Sequence, residues 1–148
     1  MKTRVVLGAV GATIAVGAGT FLIPAAGQST AAVTTHTMKF TAVVQKQANL
    51  SKTTFAQDEV DRNKAGRIIG FDVINGTFNP ATNSASGHVA LSTSGGILYG
   101  SLHFSSGPVT TGKVTGGTGK FRGATGTITG KNLNKAGTRT AVTVVWHK

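Results

Sequence analysis

The residues best suited to chemistry in this chain are its four acids, three of which stand close together. Asp58, Glu59 and Asp61 fall in the stretch AQDEVDRNKAG, and Asp72 follows in the next run. A carboxyl group serves as a general acid or base near neutral pH when burial raises its pKa. Glu59 and Asp58 are therefore the candidate catalytic residues. The alternative is pairing of the acids with cations at a strand end, namely Arg62, Lys64 or Arg67.

The glycine-rich stretch VTGGTGKFRGATG, residues 114–126, raises the question of phosphate binding. A P-loop requires Ser or Thr after its Lys, but Phe121 follows Lys120. The dinucleotide pattern requires a third glycine where Arg122 stands. The next residues, GTITGKNL, are typical of a strand rather than a helix start. The sequence therefore disfavours both phosphate interpretations, and we expect no cofactor.

Histidine and tyrosine side chains of one predicted hairpin form a second candidate group. His88 and His103 lie close to opposite each other when counted from the Gly95-Gly96 turn. A metal site needs a third ligand, and no spacing supplies one, so we predict no metal centre. Tyr99 and His103 share one face of their strand. They would line the lumen of a barrel or cap it.

The amino-terminal residues resemble a secretory signal. MKTR is followed by the uncharged run VVLGAVGATIAVGAGTFLI and then by small residues, AAGQSTAA. A basic head, an apolar middle and a small-residue region are typical of a cleaved signal peptide. We predict cleavage after Gly27 or Ala32 and a secreted domain over residues 33–148. The alternative is an uncleaved membrane anchor, because the run is long enough to span.

The charge of the chain narrows the choice of partners. The net charge is +11; Lys2 and Arg4 precede the cleavage points, so 13 of the 15 Lys and Arg follow, against four acids. Such a surface favours contact with anionic wall polymers, lipid or nucleic acid. The cations are scattered, and one Trp and one Tyr give few stacking platforms, so we expect no nucleic-acid partner. The chain has no Cys, so its core and strand pairing alone must stabilise it.

The elements that must position the candidate residues are strands almost throughout. Thr- and Val-rich alternating runs are separated by turns rich in Gly, Asn and Ser, and no stretch has helical spacing. Eight short antiparallel strands suggest a closed barrel or a sandwich. Both faces of several strands are fairly apolar, which a homo-oligomer would explain. The predicted strands are residues 36–47, 52–60, 67–78, two within 87–104, 109–115, 122–133 and 138–147.

The glycine stretch also carries a family resemblance. VTGGTGKFRGATGTI resembles the signature of the allene oxide cyclase barrel-like family and of the plant dirigent proteins, with AQDEVDRNKAGRIIG and GGILYGSLHF in support. The resemblance covers roughly residues 37–147 and implies an eight-stranded antiparallel barrel. It places Gly116, Gly117 and Gly119 in a tight turn between the sixth and seventh strands, where φ is positive. Phe121 would pack beneath that turn.

The resemblance also implies a ligand space inside the barrel. Allene oxide cyclases use a first-strand carboxylate, whereas this first strand offers Gln45 and Gln47, which puts cyclase activity in doubt. Dirigent proteins guide radical or quinone-methide coupling with acids at the barrel mouth. We therefore predict a small apolar ligand, with a mouth lined by four residues: Glu59, Arg67, Tyr99 and His103.

Three classes of function stay open from the sequence. The first is a barrel that steers cyclisation or coupling of its ligand, as an enzyme or an enzyme-like guide. The second is a non-catalytic carrier of small apolar molecules. The third is a secreted, wall-associated structural protein held by its basic surface.

Overall fold

A computed structural model describes residues 33–148 of the chain as a closed eight-stranded barrel. Each strand pairs antiparallel with its neighbours in sequence, and β1 pairs with β8 to complete the barrel. The predicted fold class is confirmed. The strands are β1 (Thr35–Asn49), β2 (Thr54–Arg62), β3 (Ile68–Asn79), β4 (Ser84–Thr93), β5 (Gly96–Phe104), β6 (Val109–Gly117), β7 (Thr125–Asn132) and β8 (Arg139–His147).

Alternation along the strands fills the interior with apolar side chains. Successive residues of a strand point to opposite sides of the sheet, so every second residue faces the lumen. In β8 the buried Val144 and Trp146 alternate with the less buried Thr143 and Val145. The packed interior contains Phe40, Ala42, Ile74, Val89, Leu91, Leu98, Leu102, Val114, Phe121, Ala124, Ile128, Val144 and Trp146.

One end of the barrel, here named the closed end, is covered by the connection between β6 and β7. A short 3-10 turn, Gly119–Phe121, crosses this end and buries Phe121 completely. The Phe121 ring meets the Trp146 ring edge-on, with the ring centres 5.4 Å apart. Large aromatic rings contribute most of the buried apolar area in such a contact. The turns between β2 and β3 and between β4 and β5 lie at the same end, as do the start of β1 and the end of β8.

Backbone hydrogen bonds of the glycine stretch attach the β6–β7 connection to β5 and to the turn before it. The Lys120 amide donates to the Gly95 carbonyl at 2.9 Å, and the Thr118 amide donates to the Ile97 carbonyl at 2.7 Å. Gly119 has a φ of 56°, a left-handed conformation that glycine adopts without steric cost. A side chain there would also collide with the Gly95 carbonyl. The glycines thus allow two backbones to approach closely.

Of the four predicted turn residues, Gly119 and Phe121 lie in the connection between β6 and β7, whereas Gly116 and Gly117 are the last two residues of β6. Gly116 has a φ of 143° and Gly119 a φ of 56°, as expected. Gly117 is not among the positive-φ residues; it is required because a Cβ would overlap the Ile97 carbonyl and Phe121. Phe121 packs beneath the turn.

Three local boundaries differ from the sequence prediction. The β4–β5 turn is Ser94-Gly95, because Gly96 already begins β5. β4 starts at Ser84 rather than Gly87, and β7 starts at Thr125 rather than Arg122 because the 3-10 turn precedes it. Polar Ser and Thr side chains in these segments satisfied the sequence criteria for loops and strands equally.

The opposite end of the barrel, here named the mouth, bears the four remaining connections. They join β1 to β2, β3 to β4, β5 to β6 and β7 to β8. Within residues 33–148 no helix is long and apolar enough to cross a membrane. The predicted signal peptide and its cleavage points lie in residues 1–32, outside the described residues, and stay predictions together with the domain boundary that depends on them.

Candidate functional site

A cavity of about 270 Å³ occupies the lumen between the mouth and the middle of the barrel. This volume is just below the range of about 300–1,000 Å³ that is usual for small-molecule sites, so the ligand must be compact. Its wall is mainly apolar and includes Leu91, Leu98, Leu102, Ile128 and Val144. The polar lining residues are Gln47, Gln57, Glu59, Asp72, Ser105, Thr110, Asn132 and Thr140.

Two aromatic rings stand at the mouth of this cavity. Phe55 and Phe104 make an edge-to-face contact with ring centres 6.1 Å apart. The Phe55 ring occupies space left by Gly76, where a Cβ would lie 2.5 Å from a ring carbon. The missing side chain on β3 therefore lets the Phe55 ring lie flat across the neighbouring strand. The two rings narrow the opening through which a ligand would pass.

Three carboxyl groups meet on the inner face of the β2–β3 pair. Glu59 pairs with Asp72 in the strand register, and Asp61 pairs with Gly70, one step nearer the closed end. An ideal Cβ at Gly70 would lie 3.2 Å from Asp61 Oδ2, so the glycine leaves room for this carboxyl group. Alternation along β2 and β3 aims all three side chains inward. Their exposed fractions are 6% for Glu59, 0% for Asp61 and 5% for Asp72.

The carboxyl groups have few donors around them. Gln57 Nε2 donates to Glu59 Oε1 at 2.6 Å. Asp61 Oδ1 and Oδ2 and Asp72 Oδ1 have no partner within residues 33–148 other than a proton shared between carboxyl groups. Within the described part of the chain no cation pairs with these three oxygens; Arg62 donates instead to the Gly66 carbonyl at 2.9 Å. The alternative predicted from the sequence was that cations at the strand end pair with these acids. For Asp61 the structure shows no such pair within residues 33–148.

Burial and mutual repulsion raise the pKa values of all three groups. Burial raises the pKa of Asp72 to about 9, and the negative charges of Glu59 and Asp61 add to the effect. Burial, followed by repulsion from Glu59, raises the pKa of Asp61 to about 7. Burial also raises the pKa of Glu59, against hydrogen bonds from Gln57 and Asp72 that favour its ionised form. At neutral pH, Asp72 therefore holds a proton, and Glu59 is the one of the three that accepts a hydrogen bond from a side-chain amide, which favours its ionised form.

The structure brings only one of the five predicted catalytic and ligand-binding residues into the cavity. Glu59 lines it, whereas Asp58 points outward from the same strand and is exposed. Arg67 is exposed in the turn between β2 and β3, at the closed end and therefore far from the mouth. The expected place of Arg67 beside the mouth is corrected. Glu59 and Arg67 do flank the β2–β3 turn, as predicted, but this turn lies at the closed end and not at the mouth.

Tyr99 and His103 lie on the outer face of β5 and do not line the cavity. Tyr99 is 42% exposed, and His103 is exposed as well. Leu98 and Leu102 on the other face are buried and form the cavity wall. Because this face of β5 points outward, the phenol of Tyr99 and the imidazole of His103 are in water, where their polar atoms need no protein partner. The expected position of Tyr99 and His103 at the lumen mouth is corrected accordingly.

Sequence reasoning passed over Asp72, Asp61 and Gln57 as site residues. Asp72 carried a usable signal, since it is a single acid inside the β-branched run RIIGFDVINGTF and shares a strand face with Ile74. Glu59 and Asp61 are separated by one residue and therefore share a face. No group of three or more His, Cys, Asp or Glu in residues 33–148 is arranged to hold a metal ion.

Comparisons with known proteins identify the class of fold. No protein-family model matches the chain, and no curated protein matches it. Among solved structures, pyocyanin demethylase superposes with a TM-score of 0.64 at 15% identity, covering 75% of this chain and 99% of that one. An exo-specific intermolecular Diels-Alderase gives 0.65 at 8% identity, covering 79% and 99%.

A dirigent protein, a pterocarpan synthase, superposes equally well. Its TM-score is 0.65 at 17% identity, covering 78% of this chain and 88% of that one. The chain therefore has the barrel fold of the allene oxide cyclase/dirigent-like family, and the resemblance in its glycine stretch is confirmed at the level of fold. A shared fold alone does not determine what the lumen binds.

Proposed function

We propose that the barrel binds a small, largely apolar molecule in its lumen and steers the cyclisation or coupling of that molecule. The observation that carries the proposal is an apolar cavity whose inner wall holds two carboxyl groups, Glu59 and Asp72. Ligand sites combine an apolar wall with a few polar groups that orient the ligand. Because the lumen is narrow and one-ended, a bound molecule is held in few orientations.

The two carboxyl groups suit different roles in proton transfer. A pair of titratable groups with pKa values pushed apart by their surroundings supplies an acid and a base at one pH. Protonated Asp72 can donate to a carbonyl or other acceptor on the ligand, and Glu59, whose ionised form the hydrogen bond from Gln57 favours, can accept a proton. Gln57 holds the Glu59 carboxylate by the 2.6 Å hydrogen bond. Both groups are nearly buried and stand beside the aliphatic wall that Leu91 and Leu98 form.

The names of the structural neighbours add limited support. The three neighbours are named as a demethylase acting on pyocyanin, a Diels-Alderase and a pterocarpan synthase. Each name describes chemistry on a small organic molecule. The proposal extends that general class of activity to this chain and takes no substrate from any of them.

Blocking the lumen tests ligand binding directly. Val142 lines the cavity beside Gly130 in the β7–β8 register, so Val142→Trp places a large ring in the lumen. Thr143→Trp places the same ring on the outer face of β8 as the matched control. We expect Val142→Trp to weaken binding of the neutral fluorophore Nile red at least about tenfold, and Thr143→Trp to leave it unchanged. Equal binding by wild type and Val142→Trp would contradict a lumenal site.

A metabolite comparison separates an enzyme from a carrier. A strain lacking the protein is complemented with wild type, with Glu59→Gln or with Asp58→Asn, and the small molecules of the culture are compared. We expect loss of a product in the deletion and in Glu59→Gln, and its restoration by wild type and Asp58→Asn. Restoration by Glu59→Gln would show that the carboxylate is not needed and would favour a carrier.

The segregation of charge favours a second candidate function, that of a wall-associated binding protein. The 13 Lys and Arg residues after residue 32 are all outside the core, whereas three of the four acids are buried. Asp58 is the single exposed acid of residues 33–148. Such a surface attracts anionic polymers in a salt-dependent manner. Salt-sensitive co-sedimentation with isolated cell walls would support it, and free protein in the supernatant at low salt would contradict it.

Export is part of both candidate functions. We propose that residues 1–32 act as a signal peptide and are removed, on the basis of the basic head, the apolar run and the small residues before Val33. The intact mass of protein recovered from the culture medium would then lack 27 or 32 residues, as cleavage after Gly27 or Ala32 requires. Full-length chain in the membrane fraction would contradict this.

A further inference from the structure

The lumen wall that residues 33–148 form offers carboxyl groups and no cation. Glu59 and Asp72 are the titratable residues among those that line the cavity, and no Lys, Arg or His is among them. Asp61 lies one register step deeper on β2. In the strand register, β1 places Val44 beside Glu59 and Ala42 beside Asp61, and β4 places Leu91 beside Asp72.

The polar atoms left without partners among residues 33–148 in this region are all carboxyl oxygens, which in the ionised form can only accept hydrogen bonds. Asp72 is only 5% exposed, and it lines the cavity. Its Oδ1 has no hydrogen-bond partner within residues 33–148. Both oxygens of Asp61 are likewise unpartnered. The amide of Gln57, two residues before Glu59 on β2, is used by Glu59. Buried acceptors without donors are unfavourable, so a ligand that brings donors is favoured over one that brings further acceptors.

We propose that the molecule bound in the lumen carries a cationic or protonatable nitrogen at its inner end, seated between Glu59 and Asp72, with an apolar body extending towards the mouth. This inference rests on the proposed function, because it names the class of ligand for the same cavity. The Glu59–Asp72 register pair stands in one row with Leu91 and Leu98, whereas Phe55 and Phe104 mark the mouth. The nitrogen is therefore at the inner end and the apolar rings or chain lie between aliphatic walls.

Occupation by a cation displaces a proton from the carboxyl cluster. An ammonium group beside the carboxyl groups favours their ionised forms, since opposite charges at short range stabilise each other in a site removed from water. The raised pKa values of Asp61 and Asp72 mean that protons are present to be released between about pH 7 and pH 9. The released proton passes to solvent. An uncharged ligand of the same shape causes no such release.

The same arrangement disfavours two other classes of ligand. A carboxylate or phosphate inside the lumen would face Glu59 with no cation to offset the repulsion. A divalent metal ion needs converging ligands, and the acids of residues 33–148 do not form such a group. The outer surface is cationic, so a cationic probe has little attraction to it, and binding of that probe reports on the lumen.

The test uses three naphthalene probes that differ in one substituent. They are 2-naphthylmethylammonium, 2-naphthylmethanol and 2-naphthoate, titrated into the barrel domain as secreted, by calorimetry near pH 8. We expect the ammonium probe to bind at least about tenfold more tightly than the alcohol, and the naphthoate at least about tenfold more weakly. Titration in buffers of different ionisation enthalpy should show proton release with the ammonium probe and none with the alcohol.

Matched variants assign the preference to the carboxyl groups. Glu59→Gln and Asp72→Asn keep the shape of each side chain, and we expect both to remove most of the preference for the ammonium probe. Proton release should fall in Asp72→Asn. Asp58→Asn, on the outer face of the same strand, should change neither quantity. Binding of 2-naphthylmethanol by each variant verifies that its lumen is intact.

The outcomes separate this inference from the proposed function. If none of the three probes binds, the lumenal site itself fails. If the alcohol binds as tightly as the ammonium probe, or more tightly, the lumen is a site but the inference is overturned. A preference for the ammonium probe that persists in both Glu59→Gln and Asp72→Asn would also overturn it, because the charge would then be recognised elsewhere.

Discussion

The two ends of the barrel use aromatic side chains differently: those at the closed end fill the core, and those at the mouth line the cavity. At the closed end, Phe121 is fully buried and packs on Trp146, and neither residue lines the cavity. At the mouth, Phe55 and Phe104 are only partly buried and do line it. The closed end is also fastened by backbone hydrogen bonds between Gly95, Ile97 and the 3-10 turn. Stability is thus concentrated at one end and ligand access at the other.

This division explains why the carboxyl cluster can exist. Buried carboxyl groups are tolerated when they hold a proton or a partner, and their pKa values rise when water is excluded. Glu59 and Asp72 line the cavity, and Asp61 lies one register step nearer the closed end. Burial near the packed closed end therefore raises the pKa values of carboxyl groups that face the cavity.

The largest expected effect is at the closed end. Phe121→Ala removes a fully buried ring and should lower the free energy of unfolding by about 3–5 kcal/mol. Phe55→Ala removes a partly buried ring at the mouth and should lower it less, by roughly 1–2 kcal/mol. Denaturant unfolding of both variants measures the difference. Equal losses would break the contrast between the two ends.

The fastening glycine gives the next largest effect. Gly119→Val forces a left-handed backbone on a β-branched residue and pushes Cβ into the Gly95 carbonyl, so we expect a loss of roughly 1–3 kcal/mol. Gly117→Val should also be destabilising, by overlap with Phe121 rather than by backbone strain. Gly107→Val, in the open loop between β5 and β6, is the control, because its nearest contact to a new Cβ is 3.7 Å. An unchanged melting temperature in Gly119→Val would contradict the role assigned to the turn.

The carboxyl cluster should make stability depend on pH. The folded state holds protons on Asp61 and Asp72 up to about pH 7 and about pH 9, whereas the unfolded chain loses them near pH 4. Because the folded state then binds more protons, stability is greatest below pH 4 as far as these groups are concerned and falls as the pH rises towards 9.

Replacement of one acid should flatten that dependence. The Asn side chain of Asp72→Asn cannot ionise, so we expect its free energy of unfolding at pH 9 to exceed that of wild type by about 1 kcal/mol or more, and its melting temperature to be higher. Asp58→Asn is the exposed control and should follow wild type. Melting curves from pH 5 to pH 9 provide the measurement. A wild-type curve that rises with pH over this range would show that the buried acids are not protonated.

The smallest effects are expected on the outer wall. Tyr99→Ala and His103→Ala alter exposed side chains of β5 and should change stability by about 0.5 kcal/mol or less. Neither should alter binding of Nile red, whereas Phe55→Ala at the mouth should speed its release. Stopped-flow dissociation measures the rates. A loss of binding in Tyr99→Ala or His103→Ala would contradict the lumenal position of the site and would show that the outer face of β5 contributes to binding.

The sequence predicted the strands well and the site poorly, for one physical reason. Turn residues and alternation locate strands without reference to the rest of the chain, and the β8 prediction of residues 138–147 falls one residue from Arg139–His147. Which face turns inward is a collective property of the closed sheet. On β5, both Tyr99 with His103 and Leu98 with Leu102 were acceptable inner faces by sequence. The glycine stretch succeeded because its constraint is local.

The charge of the interior could not be read from the sequence either. Asp58 and Glu59 are neighbours, and only the register of β2 against β3 turns Glu59 towards Asp72 while Asp58 faces water. The closeness of Glu59 and Asp72 depends on a pairing of residues 13 positions apart in the chain. The oligomer suggested by two apolar faces stays a prediction, and the exposed Ile68, Phe71 and Val73 of β3 are its basis in the structure.

The pairing of Thr35 with His147 places both chain ends of the barrel side by side at the closed end. An affinity tag, a dye or a surface linker attached next to either residue would therefore stand at the face opposite the mouth. Immobilised through such a handle, the domain would present its opening to the solution. The barrel is thus geometrically suited to use as a tethered sensor element, with the attachment chemistry and the binding chemistry on separate faces.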